Sequence, residues 1–487
     1  MNDIAAASAD LPLGEIRGPD RMAVAGTPPR RGRVRRNLAW ILFLLVLAIF
    51  TTGRLVGPRI PDSEQKHWCA VNVHIAGPFG VSINCDSPEF MRVAANPAVL
   101  LGTTTPMQSR PGMPALAWLI SRPLQQLAPL VPGLVGTPQR ADIDPARIAH
   151  AMQSYGPEYV AYVLLNLLIL CASFYIFRRV YRRHQPADQP ETVAIVAVSF
   201  ATVMIATYPV TNFLLSPHSQ LFNTLAPLLA LVFAIRANEG ALEDVRFAVV
   251  VGVIVGFGQT AYANFLVITM AVLLFAGLHA LTRWRAGVRH VPLMRNAAVL
   301  VVLSVAPIVL WYAFVRLVGG EFHYHEFQHD KSVAWIAIAL QQSFAQFWSE
   351  LARRIDFQVA GVISLLPMFG LMVMATLGFL IAAAVRLNDH RIIAPLVKDL
   401  RPTLGIALVV GLMYFAFYVC VGQFQVRLDD AALPPVIAGA GALATALAGR
   451  LPIHWRRSFG GACAAIALLA LTLAIAEGAH VRGDWFD

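Results

Sequence analysis

Eleven apolar runs punctuate this chain, and no other feature limits its fold so tightly. They lie near 37–56, 157–177, 191–208, 217–235, 246–260, 263–281, 296–318, 357–385, 402–421, 431–449 and 458–477. Hydrocarbon cannot hydrogen-bond a peptide group, so a run of about 20 apolar residues crosses a bilayer as a helix. Composition agrees: 57% of the 487 residues are hydrophobic and only 14% are charged, against about a quarter charged in soluble domains. The expectation is an all-α polytopic membrane protein with about 11 transmembrane helices.

The formal net charge of +10 follows the runs and not a nucleic-acid face. Arginines gather as Arg30, Arg31, Arg33, Arg35 and Arg36, then as Arg178, Arg179, Arg182 and Arg183. Further groups are Arg283, Arg285, Arg289 and Arg295; Arg386, Arg391, Lys398 and Arg401; and Arg450, Arg456 and Arg457. With a cytoplasmic N-terminus every group falls inside, which is the positive-inside pattern. Residues 1–36 then read as a disordered basic cytoplasmic tail, and Asn37–Val56 as a retained signal anchor. The domain proper spans 37–477, with long extracytoplasmic loops at 57–156 and 319–356 and an outer tail at 478–487.

The first outer loop holds another apolar stretch, Gly112–Val131, broken by Arg122 and Pro123. Counting it as a span would move Phe177–Arg183 outside, against the charge pattern, so it reads as an interfacial or re-entrant helix. Ile143–Ser154, short and amphipathic, reads the same way. Cys171, Cys420 and Cys463 fall within spans. Cys69 and Cys85 share the outer loop, where a disulfide between them and two separate thiols both remain open.

Polar residues concentrate on the outer side. They include Asp86, Glu89, Arg92, Arg110, His218, Glu321, His323, His325, Glu326 and His329, with Asp330, Lys331, Arg427, Asp429 and Asp430 further along. That asymmetry points to chemistry at the level of the lipid headgroups. Asp86 precedes Ser87-Pro88 and a short helical pattern, so it is either an ordinary N-cap or a carboxylate placed for chemistry.

The spacing Asp86, Phe90, Ala94, followed by Arg110, Pro111 and Pro114, resembles the GT-C membrane glycosyltransferases. Their motif is Asp-x-x-x-Tyr-x-x-x-Ala and then Arg-Pro-x-x-Pro; here Phe stands for Tyr. Leu214–Leu231 is similar to an outer turn and following helix of that family. Where the family often places a second acidic residue beside the first, this chain has Glu89 three places on.

The resemblance implies transfer of a sugar from a polyprenyl-phosphate donor to a glycan, lipid or protein acceptor. The setting it implies is the outer face of a bacterial cytoplasmic (inner) membrane. Asp86 is then the general base. Glu89, Arg110, His218, His325, Glu326, Lys331 and Arg427 are candidates to bind the donor, the cations neutralising its phosphate. Arg427 has a second reading, local balance against Asp429 and Asp430. No cofactor is required and no nucleic acid is expected; the partners are the lipid-linked donor, the acceptor and membrane lipid. Participation of a divalent metal stays open.

Two other classes compete. His325-Glu326-Phe327-Gln328-His329 fits the H-E-x-x-H pattern of zinc hydrolases. Glu350, or His323, would be the third ligand. A transporter or lipid flippase would show ionisable residues near mid-span and matching halves. The spans hold few such residues, and the two halves do not look alike.

Overall fold

The structure is a computed structural model that describes residues 30–56, 70–84, 86–103, 105–127, 137–138, 155–185, 191–285, 291–321, 334–387, 390–421 and 430–476. Every one of the eleven apolar runs coincides with or overlaps a helix. Among the described residues, eight helices are long and apolar enough to cross a membrane. They lie in α1 (Arg30–Arg54), α4 (Gly156–Arg182), α9 (Leu266–Arg285), α10 (Val291–Leu317), α12 (Phe344–Leu387), α13 (His390–Val421), α14 (Leu433–Arg450) and α15 (Ile453–Ala476). The fold is a polytopic helical membrane protein.

Three further apolar helices are shorter: α5 (Glu191–Ile205), α7 (Phe222–Asn238) and α8 (Val245–Ala261). At about 1.5 Å per residue their 15 to 17 residues reach only about 23–26 Å, less than a hydrocarbon core of about 30 Å. Protein, not lipid, surrounds much of the first two. Helix α5 is buried at every position from Val196 to Ile205, as expected for a helix apolar on all sides. It packs against α14, α15 and α1, while α7 packs against α9, α4 and α13.

The longest helix, α12, runs 44 residues, about 66 Å at the same rise. Its first three turns occupy the part of the chain read above as the second half of the 319–356 loop, preceded by the short α11 (Ala334–Gln342). Aromatic side chains join α11 to the start of α12: Trp335 stacks on Phe347 with centroids 5.9 Å apart. Arg354 lies over Trp335 at 4.3 Å.

Helix α8 packs against α10 through small residues. A Cβ on Gly252 would come within 2.7 Å of the Leu303 Cβ, and one on Gly256 within 2.8 Å of the Pro307 ring. Glycines four apart let the two backbones approach, the G-x-x-x-G arrangement of membrane helices.

The segment between α1 and α4 departs from the helical expectation. Residues 70–84 form a hairpin of β1 (Ala70–Ala76) and β2 (Phe79–Asn84), with Val71 opposite Ile83 and Val73 opposite Val81. Its alternation of apolar and polar residues, closed by Gly77 at φ +53° beside Pro78, is the period-2 pattern of a half-buried strand pair. A two-residue strand, β3 (Thr137–Pro138), pairs with β1 on the other side. The hairpin is tied to the end of α1 by the Gly80 N–H, which donates to the Leu55 carbonyl at 2.8 Å. After it come α2 (Ser87–Ala95) and α3 (Gly112–Leu127). The stretch read as an interfacial or re-entrant helix is helical in α3, with Pro123 inside it and exposed Arg122 lying 5.0 Å over the Trp118 ring. Ile143–Ser154, Cys69 and Cys85 lie outside the described residues.

Candidate functional site

The hairpin delivers the chain directly into the start of α2. The Asp86 N–H donates to Asn84 Oδ1 at 2.9 Å, which turns the backbone out of the strand. Asp86 already has helical dihedrals (φ −78°, ψ −20°), and its carboxylate makes no capping bond to α2. The ordinary N-cap role is therefore not the one adopted. Instead Oδ2 lies 3.8 Å from His218 Nε2. The carboxylate side chain is 50% exposed and the imidazole 5%, so a buried ring backs a half-exposed carboxylate.

His218 is held by rings and by a rigid turn. Phe90 and Phe213 flank it at centroid distances of 5.0 and 4.8 Å. The turn itself is pinned by Asn166, a fully buried amide within α4. Its Nδ2 donates to the carbonyls of Phe213, Leu214 and Ser216 at 2.9, 3.1 and 3.0 Å. Two helical turns earlier, the Tyr159 hydroxyl donates to the Leu215 carbonyl at 2.8 Å. Ser216 closes the link to α2, with its Oγ 2.9 Å from Ser87 Oγ and accepting from the Asn84 N–H at 3.3 Å. Phe90, at the aromatic position of the spacing above, is buried against Tyr162, whose hydroxyl donates to the Phe90 carbonyl at 3.1 Å. Ala94 is buried as well.

Glu89 faces its own helix. Arg92 donates to both of its carboxylate oxygens at 2.7 and 2.8 Å, and that bond raises the Arg92 pKa above its ordinary value. Arg110 lies 5.2 Å over the Tyr262 ring, and the Tyr262 hydroxyl donates to Gln220 Oε1 at 3.4 Å. Gln220 is two residues from His218, so Arg110 is joined to the Asp86–His218 turn through one aromatic contact and one hydrogen bond.

The loop before Arg110 is clamped to the end of α10. Gln108 Nε2 donates to the carbonyls of Leu100 and Glu321 at 2.9 and 2.8 Å. Trp311 Nε1 donates to the Gln108 carbonyl at 2.9 Å, and the Glu321 N–H donates to the Leu101 carbonyl at 3.1 Å. Glu321 thus lies beside the segment that carries Arg110. His323, His325, Glu326, His329, Lys331 and Arg427 lie outside the described residues. Glu350 is engaged by two arginines, accepting from Arg353 and Arg354 at 2.8 Å. Among the described residues no group of three or more His, Cys, Asp or Glu side chains is placed to hold a metal ion.

Comparison with protein families, with curated proteins and with solved structures finds no match. The class that the fold defines is an integral membrane protein of many apolar helices, with a polar site gathered where α2, α4 and the 213–221 turn meet.

Proposed function

We propose that this protein is a membrane glycosyltransferase that moves a sugar from a polyprenyl-phosphate donor to an acceptor hydroxyl. The observation that supports it most is Asp86, whose carboxylate is half exposed, uninvolved in capping and backed by His218 at 3.8 Å. A donor of this class keeps its isoprenoid tail in lipid and presents its anomeric carbon at the headgroup level. Asp86 accepts the acceptor's proton as the acceptor oxygen bonds to that carbon. The bond from the carbon to the phosphate oxygen breaks, and its electron pair leaves with the polyprenyl phosphate. Arg110, beside Tyr262, is the described cation that would neutralise the departing phosphate. Under this reading the Asp86 end is extracytoplasmic, in accord with the arginine distribution.

One observation favours transport instead. Asp430, at the start of the span running to Arg450, is 2% exposed and hydrogen-bonded by Thr207, and buried carboxylates in membranes often mark ion pathways. Purified protein offered labelled polyprenyl-phosphate sugars separates the two readings. Asp86→Asn is expected to lower transfer by about 10²–10⁴-fold, the usual contribution of a general base. Transfer that survives this substitution unchanged removes Asp86 from the reaction. Absence of transfer from every donor, with Asp430-dependent uptake into liposomes, gives the transport reading the advantage.

A further inference from the structure

The far end of the bundle carries a second site, unconnected with Asp86. Helix α4 rises for 27 residues from the Asp86 end, about 40 Å, and emerges at Arg183, His184 and Gln185. There a cavity of about 550 Å³ opens between this segment, α13 and α14. Its volume lies within the range of small-molecule sites, about 300–1,000 Å³.

The walls divide by chemistry. Leu396, Leu400 and Ala446 form an apolar side, while Arg183, His184, Gln185, Asp399 and Arg450 supply the polar groups. Both arginines already touch acids, but in ways that leave donors over. Arg183 pairs with Glu239, which is not a wall residue. Arg450 reaches Asp399 through a single nitrogen at 3.4 Å. A guanidinium has five N–H donors, so one long contact leaves most of its capacity unused. His184 Nε2 sits 3.0 Å from Thr403 Oγ1.

Gln185 supplies the sharpest observation. Its Nε2 and Oε1 are both buried, and neither has a hydrogen-bond partner among the described residues. A buried amide nitrogen without an acceptor is costly, so a ligand group that accepts from Nε2 is expected at this wall. The wall carries two arginines and one aspartate, with Glu239 meeting Arg183 from behind. Guanidinium donors left over, an orphan amide donor and an adjoining apolar surface together describe the binding of an anion with an organic substituent.

We propose that this cavity binds a phosphate-bearing anion, held by Arg450, Arg183 and the Gln185 amide, with its substituent against Leu396 and Leu400. Two sources share that chemistry: the headgroup of an anionic membrane lipid, and a free phosphate from the solvent. Binding displaces Arg450 from Asp399, so Asp399 competes with the ligand.

The test uses the full chain in phosphatidylcholine nanodiscs, followed by thermal unfolding. One arm titrates inorganic phosphate, and soluble glycerol phosphate beside it, against chloride at equal ionic strength. The other replaces part of the phosphatidylcholine with phosphatidylglycerol. Stabilisation by the soluble phosphates identifies the solvent as source; stabilisation by phosphatidylglycerol alone identifies the headgroup. Arg450→Gln is expected to weaken the response about fivefold, the effect of one cation near a membrane surface, and Asp399→Asn to strengthen it by a similar factor. Gln185→Leu should weaken it while removing the orphan amide, and so keeps the test valid if Arg450→Gln does not fold. No stabilisation in either arm overturns the proposal, and so does a response that Asp399→Asn and Gln185→Leu leave unchanged.

Discussion

Asn166 offers the most exacting test of how the Asp86 end is built. Its side chain is fully buried in α4, and its Nδ2 lies 2.9–3.1 Å from the carbonyls of Phe213, Leu214 and Ser216. An amide nitrogen has two hydrogens, so at most two of these contacts are full bonds and the third is shared. A hydrogen bond contributes about 1 kcal/mol net, and a buried acceptor left without a donor costs about 1–3 kcal/mol. Asn166→Ala should therefore cost about 2–4 kcal/mol, with the Tyr159 bond to Leu215 limiting the damage. Asn166→Asp is harsher at equal size, because it sets carboxylate oxygens against three carbonyls. The assay is thermal unfolding of detergent-solubilised protein, read by tryptophan emission, with Tyr159→Phe as a milder reference that removes one donor to the same turn. The expected order of unfolding midpoints is wild type, Tyr159→Phe, Asn166→Ala, Asn166→Asp. An Asn166→Asp variant as stable as wild type would show that the turn is not held from α4, and the account of how His218 is positioned would fall with it.

Two further outcomes follow from local geometry. Gly256→Leu places a side chain where a Cβ alone would already come within 2.8 Å of Pro307, so α8 and α10 must separate; a lowered unfolding midpoint is expected, and an unchanged one refutes close packing. His184 is held below its ordinary pKa of 6.5, first by burial and then by Arg183, with Arg450 adding to and Asp399 opposing the effect. Its folded form stays neutral where the unfolded chain takes up a proton, so stability is complete above about pH 6.5 and falls as pH drops below it. Unfolding midpoints across pH 5–7.5 should slope less in His184→Gln, and equal slopes would contradict the depressed value.

The spans were legible because lipid leaves a chain so few options. A run such as Ile41–Phe50 must bury its peptide groups in its own helix, and hydropathy reads that requirement directly. The short helices were harder to classify. Val193–Ile205 and Phe222–Asn238 are apolar runs like any other, yet neighbouring helices cover most of their surface, and hydropathy does not separate cover by protein from cover by lipid. The hairpin at 70–84 carried a readable signal in Val71, Val73, Val81 and Ile83 around Gly77-Pro78, but a reading tuned to helices passes over an alternation this brief. In the candidate site, Asp86 and His218 were each visible as polar residues beside spans. Their approach to 3.8 Å joins positions 132 residues apart, and no local pattern encodes that. Asn166 could have been found: a lone amide amid leucines is costly in a membrane unless it has partners.

The two ends of the bundle are stabilised by different means, and this explains what each disclosed. At the end carrying Arg183 and Arg450, helices are cross-linked by charge: Arg183 to Glu239, Arg283 to Glu243 at 2.8 Å, and Arg450 to Asp399 at 3.4 Å. Residues that orient a membrane protein also fasten it there, so a count of arginines locates the joints. At the Asp86 end the fastening is done by neutral groups acting on backbone carbonyls: Asn166 and Tyr159 on the 213–216 turn, Tyr162 on Phe90, and Gln108 on Leu100 and Glu321. A carbonyl is present at every residue and leaves no mark in a sequence. The arrangement has a chemical consequence. Neutral donors to carbonyls hold much of the frame at that end, alongside ion pairs such as Arg92 with Glu89. Asp86 stands half exposed there, 3.8 Å from a buried imidazole. A carboxylate that must take a proton from a substrate needs that setting, because an adjacent arginine would hold it ionised and weaken it as a base.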